Sequence, residues 1–141
     1  MEMKYYQISQ KEKELITDKL KSMLASFSDV AFVYLHGSFL NASGFRDIDI
    51  AFYMQEAPVS ALQKELQLES LFGSSMPYPI DIKILNNAPV SFAYNVLKSG
   101  LPVFVTDEDV RVDFVEHTLN NYFDFAPFRK LYLKETLGVE V

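Results

Sequence analysis

Three aspartates and one small-residue turn carry the chemistry legible in this sequence. Asp47 and Asp49 stand two residues apart in Arg46-Asp47-Ile48-Asp49-Ile50, alternating with isoleucines as residues on a β-strand do. On a strand their side chains leave the same face, roughly 6.6–7 Å apart along the chain. Asp81 repeats the pattern in Ile80-Asp81-Ile82-Lys83, and it joins the pair if the two strands are neighbours. Crowded carboxylates repel one another unless a cation lies among them. Hard oxygen ligands suit Mg²⁺ or Mn²⁺, which keep positions open for water and substrate phosphates. A lone Asp-x-Asp strand more often just faces solvent. What raises the chemical reading is Gly37-Ser38, at the end of an apolar run, where ligands of α/β sheets collect. Glycine lets the backbone approach a phosphate closely, a following helix would aim N–H groups at it, and Ser38 Oγ adds a donor.

The elements that must position these residues follow from pattern. Ser9 with Glu12 is a capping box, and Leu15, Ile16, Leu20, Met23, Leu24 and Phe27 recur at helical spacing, so residues 9–27 are predicted helical. Val30 to Leu35 is β-branched and aromatic, as a central strand buried on both faces would be. A short helix is expected from Ser38, then a strand from Asp47 to Met54. Pro58 is expected to open a helix closed by Gly73, with Leu62, Leu66, Leu68 and Leu71 as an untidy apolar stripe. Pro79 to Leu85 reads as a strand, Pro89 to Gly100 as a helix and Val103 to Val105 as a short strand. Thr106, with Asp109, is the expected N-cap of a terminal helix running to about Leu137 with a kink at Pro127. The order α-β-(short α)-β-α-β-α-β-α argues for an α/β fold, a sheet covered by helices.

Composition sets bounds on this reading. The chain has 141 residues, 49% apolar and 23% charged, which fits one ordinary domain and excludes a disordered chain. Absent cysteine excludes thiolate metal sites and cysteine nucleophiles, and two histidines, His36 and His117, exclude a zinc site of several histidines. A net charge of −6 argues against direct nucleic-acid binding. A phosphate-rich ligand would therefore need a mediating cation. Met1-Glu2-Met3-Lys4 lacks the apolar stretch of a signal peptide, and no apolar run approaches the ~20 residues of a membrane span, so a cytoplasmic protein is expected.

His36-Gly37-Ser38-Phe39, Arg46-Asp47-Ile48-Asp49-Ile50 and Ile80-Asp81-Ile82-Lys83 together resemble the polymerase-β-type nucleotidyltransferase superfamily. Within it the likeness is to the minimal nucleotidyltransferases, the MNT or MntA antitoxins paired with HEPN-domain toxins. It continues through Leu85-Asn86-Asn87-Ala88-Pro89, the helix ending at Gly100 and the Tyr/Phe/Asp-rich end, and so spans about residues 29–137. Two features depart from the pattern: the eight-residue spacer from Phe39 to Arg46 is shorter than usual, and Arg46 stands where many members carry serine.

The resemblance implies a small mixed sheet flanked by helices, with one nucleotidyltransferase domain over 1–141, a core at about 29–106, an N-terminal helix at 9–27 and C-terminal helices at 107–137. It implies transfer of AMP from ATP to a tyrosine hydroxyl of a HEPN toxin. Asp47, Asp49 and Asp81 would hold two Mg²⁺ ions (or Mn²⁺), Asp81 would accept the hydroxyl proton, and Gly37 and Ser38 would hold the β- and γ-phosphates. Arg46 and Lys83 are further phosphate-binding candidates. Arg46 reads first as a solvated loop residue, and Lys83 equally as an ion-pair partner of the acids. His36 reads first as packing at a strand end, and Asn86 and Asn87 as loop and cap residues. In the aromatic stretch that begins at Tyr122, Phe123, Phe125, Phe128 and Tyr132 cannot all face one direction on a regular helix, which suggests a partner surface. Two alternatives stay open: an antitoxin that neutralises its toxin by contact, and a small-molecule nucleotidyltransferase, the latter disfavoured because 141 residues leave no room for a second substrate domain.

Overall fold

The computed structural model describes residues 4–123, with Leu131 and Lys134 beyond them. The expected kink at Pro127 and the aromatic positions Phe125, Phe128 and Tyr132 lie outside the described residues. Helix α1 (Gln10–Leu24) begins as its sequence requires, with Ser9 Oγ accepting from the Glu12 amide at 3.1 Å. Its stripe is narrower than the spacing suggests. Leu20 and Leu24 are buried, whereas Leu15 is 60% exposed.

Four strands form one mixed sheet: β1 (Val30–His36), β2 (Ile48–Met54), β3 (Ile80–Ile84) and β4 (Leu101–Val105), in the spatial order β3-β2-β1-β4. Strand β1 pairs antiparallel with both β2 and β4, while β2 and β3 run parallel. Every residue of β1 up to Leu35 is buried. The interior place in the sheet explains its unbroken apolar run, because helices cover both faces. On one face Leu20, Leu24, Phe39, Phe45, Phe52, Leu68 and Phe72 pack with residues of β1, β2 and β3. On the other, Phe32, Tyr34 and Ala51 meet Ala93 and Val96 of α4 (Val90–Ser99), with Phe114 of α5 (Glu108–Tyr122) beside them. Among the described residues no helix is long and apolar enough to cross a membrane.

Several boundaries differ from expectation for physical reasons. Helix α3 (Ala61–Gly73) starts at Ser60, whose Oγ accepts from the Gln63 amide at 3.2 Å, not at Pro58. Gly73 is the last helical residue instead of lying beyond the end, and the C-cap is Ser74. Leu62, Leu66 and Leu71 are 56–65% exposed, leaving Leu68 and Phe72 to hold α3 on the sheet. Helix α5 is capped by Asp107, whose Oδ1 accepts from Val110 N, and not by Thr106. The Thr106 hydroxyl donates instead towards the carbonyls of Val30 and Ala31, at 2.8 and 3.1 Å. A hydroxyl that close to the start of β1 anchors the strand end, and the neighbouring carboxylate takes the cap.

Candidate active site

The sheet register assembles the three acids. Asp49 on β2 is the direct partner of Asp81 on β3 in the parallel pairing, and His36 at the end of β1 is the antiparallel partner of Asp49. Asp47 lies immediately before β2 and not within it. Its side chain nevertheless reaches the group: one carboxylate oxygen from each of Asp47, Asp49 and Asp81 lies within 4.8 Å of the other two. All three residues are half-buried.

The electrostatics of this cluster are unfavourable for three bare carboxylates. Burial, then the charges of Asp47 and Asp81, push the Asp49 carboxyl up to about 7, against a smaller lowering influence of Lys83. Burial and Asp81 also raise Asp47, opposed by Arg46 and its own backbone hydrogen bond. Lys83 Nζ lies 3.7 Å from Asp81 Oδ1, with both side chains substantially exposed. A long pair in that setting offsets little of the repulsion. A divalent cation among the oxygens would remove the repulsion and satisfy the hard-ligand preference of Mg²⁺ or Mn²⁺, so the donor set fits such an ion.

Gly37 closes the cluster from β1. Its φ is +79° and its ψ −161°, a region essentially confined to glycine. A Cβ there would overlap Asp49 Oδ2, with Asp49 Cγ at 3.0 Å. Both the backbone angle and the space therefore require glycine at the turn that presents Ser38. Helix α2 (Ser38–Asn41) is a single turn, in which the Leu40 and Asn41 amides already bond to Gly37 O. The Ser38 and Phe39 amides are those that one turn leaves without an intrahelical acceptor.

The other candidates divide. Arg46 donates to the Tyr5 hydroxyl at 2.7 Å and stacks 4.7 Å from the centre of its ring, so the exposed loop arginine is tethered to the N-terminal segment while acting on Asp47. His36 packs edge-on against Phe92, with ring centres 5.7 Å apart. Its Nε2 is buried without a hydrogen bond among protein atoms, and burial lowers its pKa against the raising influence of Asp81. Asn86 clamps the far end of β2: its side chain accepts from Met54 N at 2.8 Å and donates to Met54 O at 3.0 Å. Asn87 takes a positive φ of 61° in the same loop. The tie between Tyr5 and Arg46 has no signal in the sequence, because 41 residues separate the two.

Comparison with known proteins places the fold in a family. The family model described as Polymerase beta, Nucleotidyltransferase matches residues 18–109, and the chain belongs to that family. Comparison with curated protein sequences gives no match. Among solved structures, the chain is similar to one of tri-AMPylated Shewanella oneidensis HEPN toxin in complex with MNT antitoxin. There the TM-score is 0.64 and identity 20%, over 89% of this chain and 98% of the other. A toxin–antitoxin structure of MntA-HepT gives a TM-score of 0.63 and 19% identity, over 88% and 98% of the two chains. A toxin–antitoxin structure with AMP-PNP gives 0.60 and 18%, over 92% and 99%. The shared property at these identities is the fold, a four-stranded mixed sheet flanked by helices.

Proposed function

We propose that this nucleotidyltransferase is an antitoxin that transfers AMP from ATP to a tyrosine hydroxyl of a cognate HEPN-domain toxin, with the whole chain acting as one such domain in the cytoplasm. The observation that carries the reading is the meeting of Asp47, Asp49 and Asp81, from the start of β2 and from β3, beside the glycine turn that ends β1. Solved structures of similar fold support this choice of partner: they pair an MNT or MntA chain with its toxin, in one case a tri-AMPylated HEPN toxin.

In this reading the hydroxyl oxygen of the tyrosine attacks the α-phosphorus of ATP. The bond to the bridging oxygen breaks, and pyrophosphate leaves in line with the entering oxygen. Asp47, Asp49 and Asp81 would hold Mg²⁺, which when bound supplies positive charge to the triphosphate and the attacking oxygen. Asp81, on β3 beside Asp49, takes up the hydroxyl proton. The Gly37 turn lets the β- and γ-phosphates approach the backbone, and Ser38 donates its hydroxyl to them. Arg46 and Lys83 border the acids and offset phosphate charge as the nucleotide enters.

The test is incubation of the protein and the HEPN-type product of a neighbouring gene with Mg²⁺ and ATP labelled at either the α- or the γ-phosphate. Label from the α-phosphate alone, on tyrosine, is the expected result. Label from the γ-phosphate would replace adenylyl transfer with phosphoryl transfer. Tight binding without label would leave an antitoxin that acts by contact.

A further inference from the structure

Asp81 sits on an edge strand. The sheet order leaves β3 with a neighbour on one side only, so alternate amides of its five residues point away from β2. Such an edge frays more readily than an interior strand and invites pairing with another chain. Two outward amides are nevertheless satisfied, and by side chains. Ile82 N donates to Glu69 Oε1 at 3.0 Å, and Ile84 N donates to Glu65 Oε2 at 2.9 Å. Both glutamates are half-buried on α3, which packs directly against β3.

The spacing makes this a matched pair of rungs. Residues four apart on a helix rise about 6 Å, and residues two apart on a strand advance roughly 6.6–7 Å. Glu65 and Glu69 of α3 therefore fall in step with Ile84 and Ile82 of β3, in opposite chain directions. The helix replaces the missing strand along this edge. The rung nearest the acids is made by Glu69, because the peptide linking Asp81 to Ile82 carries the amide that Glu69 accepts. That bond holds the peptide plane directly after Asp81, the residue whose carboxylate joins Asp47 and Asp49.

We infer that Glu69 is a positioning residue for Asp81: by holding the Ile82 amide from outside the sheet, it keeps the third carboxylate of the cluster aimed at Asp47 and Asp49. Glu65 makes the equivalent bond one rung further from the acids and serves the strand, not the site. The inference rests on the proposed role of the three aspartates as cation ligands.

The experiment measures Mn²⁺ affinity by calorimetry on the full chain for the native protein, Glu69→Ala, Glu69→Gln and Glu65→Ala, with amide hydrogen exchange at Ile82 and Ile84 in parallel. Residues that orient metal ligands typically contribute 10–100-fold in affinity. Glu69→Ala is expected to weaken Mn²⁺ binding about 10-fold and to speed exchange at Ile82. Glu69→Gln keeps an acceptor oxygen and is expected to restore affinity to within about 3-fold of native. Glu65→Ala is expected to speed exchange at Ile84 with native Mn²⁺ affinity. Should Glu69→Ala fail to fold, Glu69→Asp takes its place, because its shorter side chain draws the acceptor back from the Ile82 amide. A loss of about 10-fold in Glu69→Asp beside native affinity in Glu65→Ala supports the inference, whereas native affinity in Glu69→Asp, or a loss in Glu65→Ala as large as 10-fold, overturns it. Native affinity in a folded Glu69→Ala also overturns it, leaving the proposed function standing. A native protein that binds no Mn²⁺ overturns the proposed function itself, and the inference with it.

Discussion

Asp49 and Asp81 face each other across the parallel pairing of β2 and β3, and with Asp47 they bring one oxygen each to within 4.8 Å. Burial and the two neighbouring charges push Asp49 up to about 7. A raised acid binds its proton more tightly in the folded than in the unfolded chain. Its ionisation therefore lowers stability as pH climbs from about 4 towards 7, with no further loss above. Asn at this position cannot ionise. Without divalent cation, Asp49→Asn is expected to gain on the native protein between pH 5 and pH 8 by about 1–2 kcal/mol, allowing for solvent screening of a half-exposed group. Chemical denaturation at the two pH values measures this, and a pH-independent difference would contradict it.

Cation binding should reverse the same repulsion. Mg²⁺ is expected to raise the melting temperature of the native protein clearly at pH 8 and little at pH 5, where Asp49 holds its proton. Asp49→Asn should respond weakly at both. An equal rise in the native protein at the two pH values would place the ion elsewhere.

Gly37 combines a positive φ with direct contact to Asp49. Gly37→Ala is expected to cost about 2 kcal/mol of stability from the backbone alone. It should also push Asp49 out of the cluster, so that Mg²⁺ no longer raises the melting temperature at pH 8. Urea denaturation and thermal melts separate the two effects. Native-like stabilisation by Mg²⁺ in this variant would show that Asp49 does not hold the ion.

Asn86 offers a contrast distant from the acids. Its two hydrogen bonds to Met54 fasten the loop after β3 to the end of β2. Asn86→Ala leaves both backbone groups of Met54 without that partner and is expected to lower stability by about 1–3 kcal/mol. Its nucleotide transfer at a temperature where it is fully folded should equal the native rate. A large fall in transfer with unchanged stability would move Asn86 into the site.

Much of the site is legible in the sequence because strand chemistry is local. Alternation with isoleucine puts Asp49 and Asp81 on strands, and Gly37 announces a turn that only glycine can make. What the sequence leaves conditional is the adjacency of β2 and β3, since pairing depends on the packing of α3 and not on either strand's pattern. The same packing accounts for the untidy stripe of α3. Its Glu65 and Glu69 satisfy the edge of β3, and Leu62 and Leu66 remain exposed. Both misplaced helix starts come from rival caps: Ser60 competes with Pro58, and Asp107 with a Thr106 already bonded to β1. The tether of Arg46 to Tyr5 is a contact of fold, invisible to any local pattern.

The most direct test of catalysis by these acids is intact-mass spectrometry of the partner toxin purified from cells that also make this protein, either native or with Asp47→Ala, Asp49→Ala or Asp81→Ala. The expected result is toxin carrying one or more AMP groups with the native protein and unmodified toxin with each folded variant. Toxin that is unmodified with the native protein, or equally modified with the variants, would contradict a catalytic role for Asp47, Asp49 and Asp81.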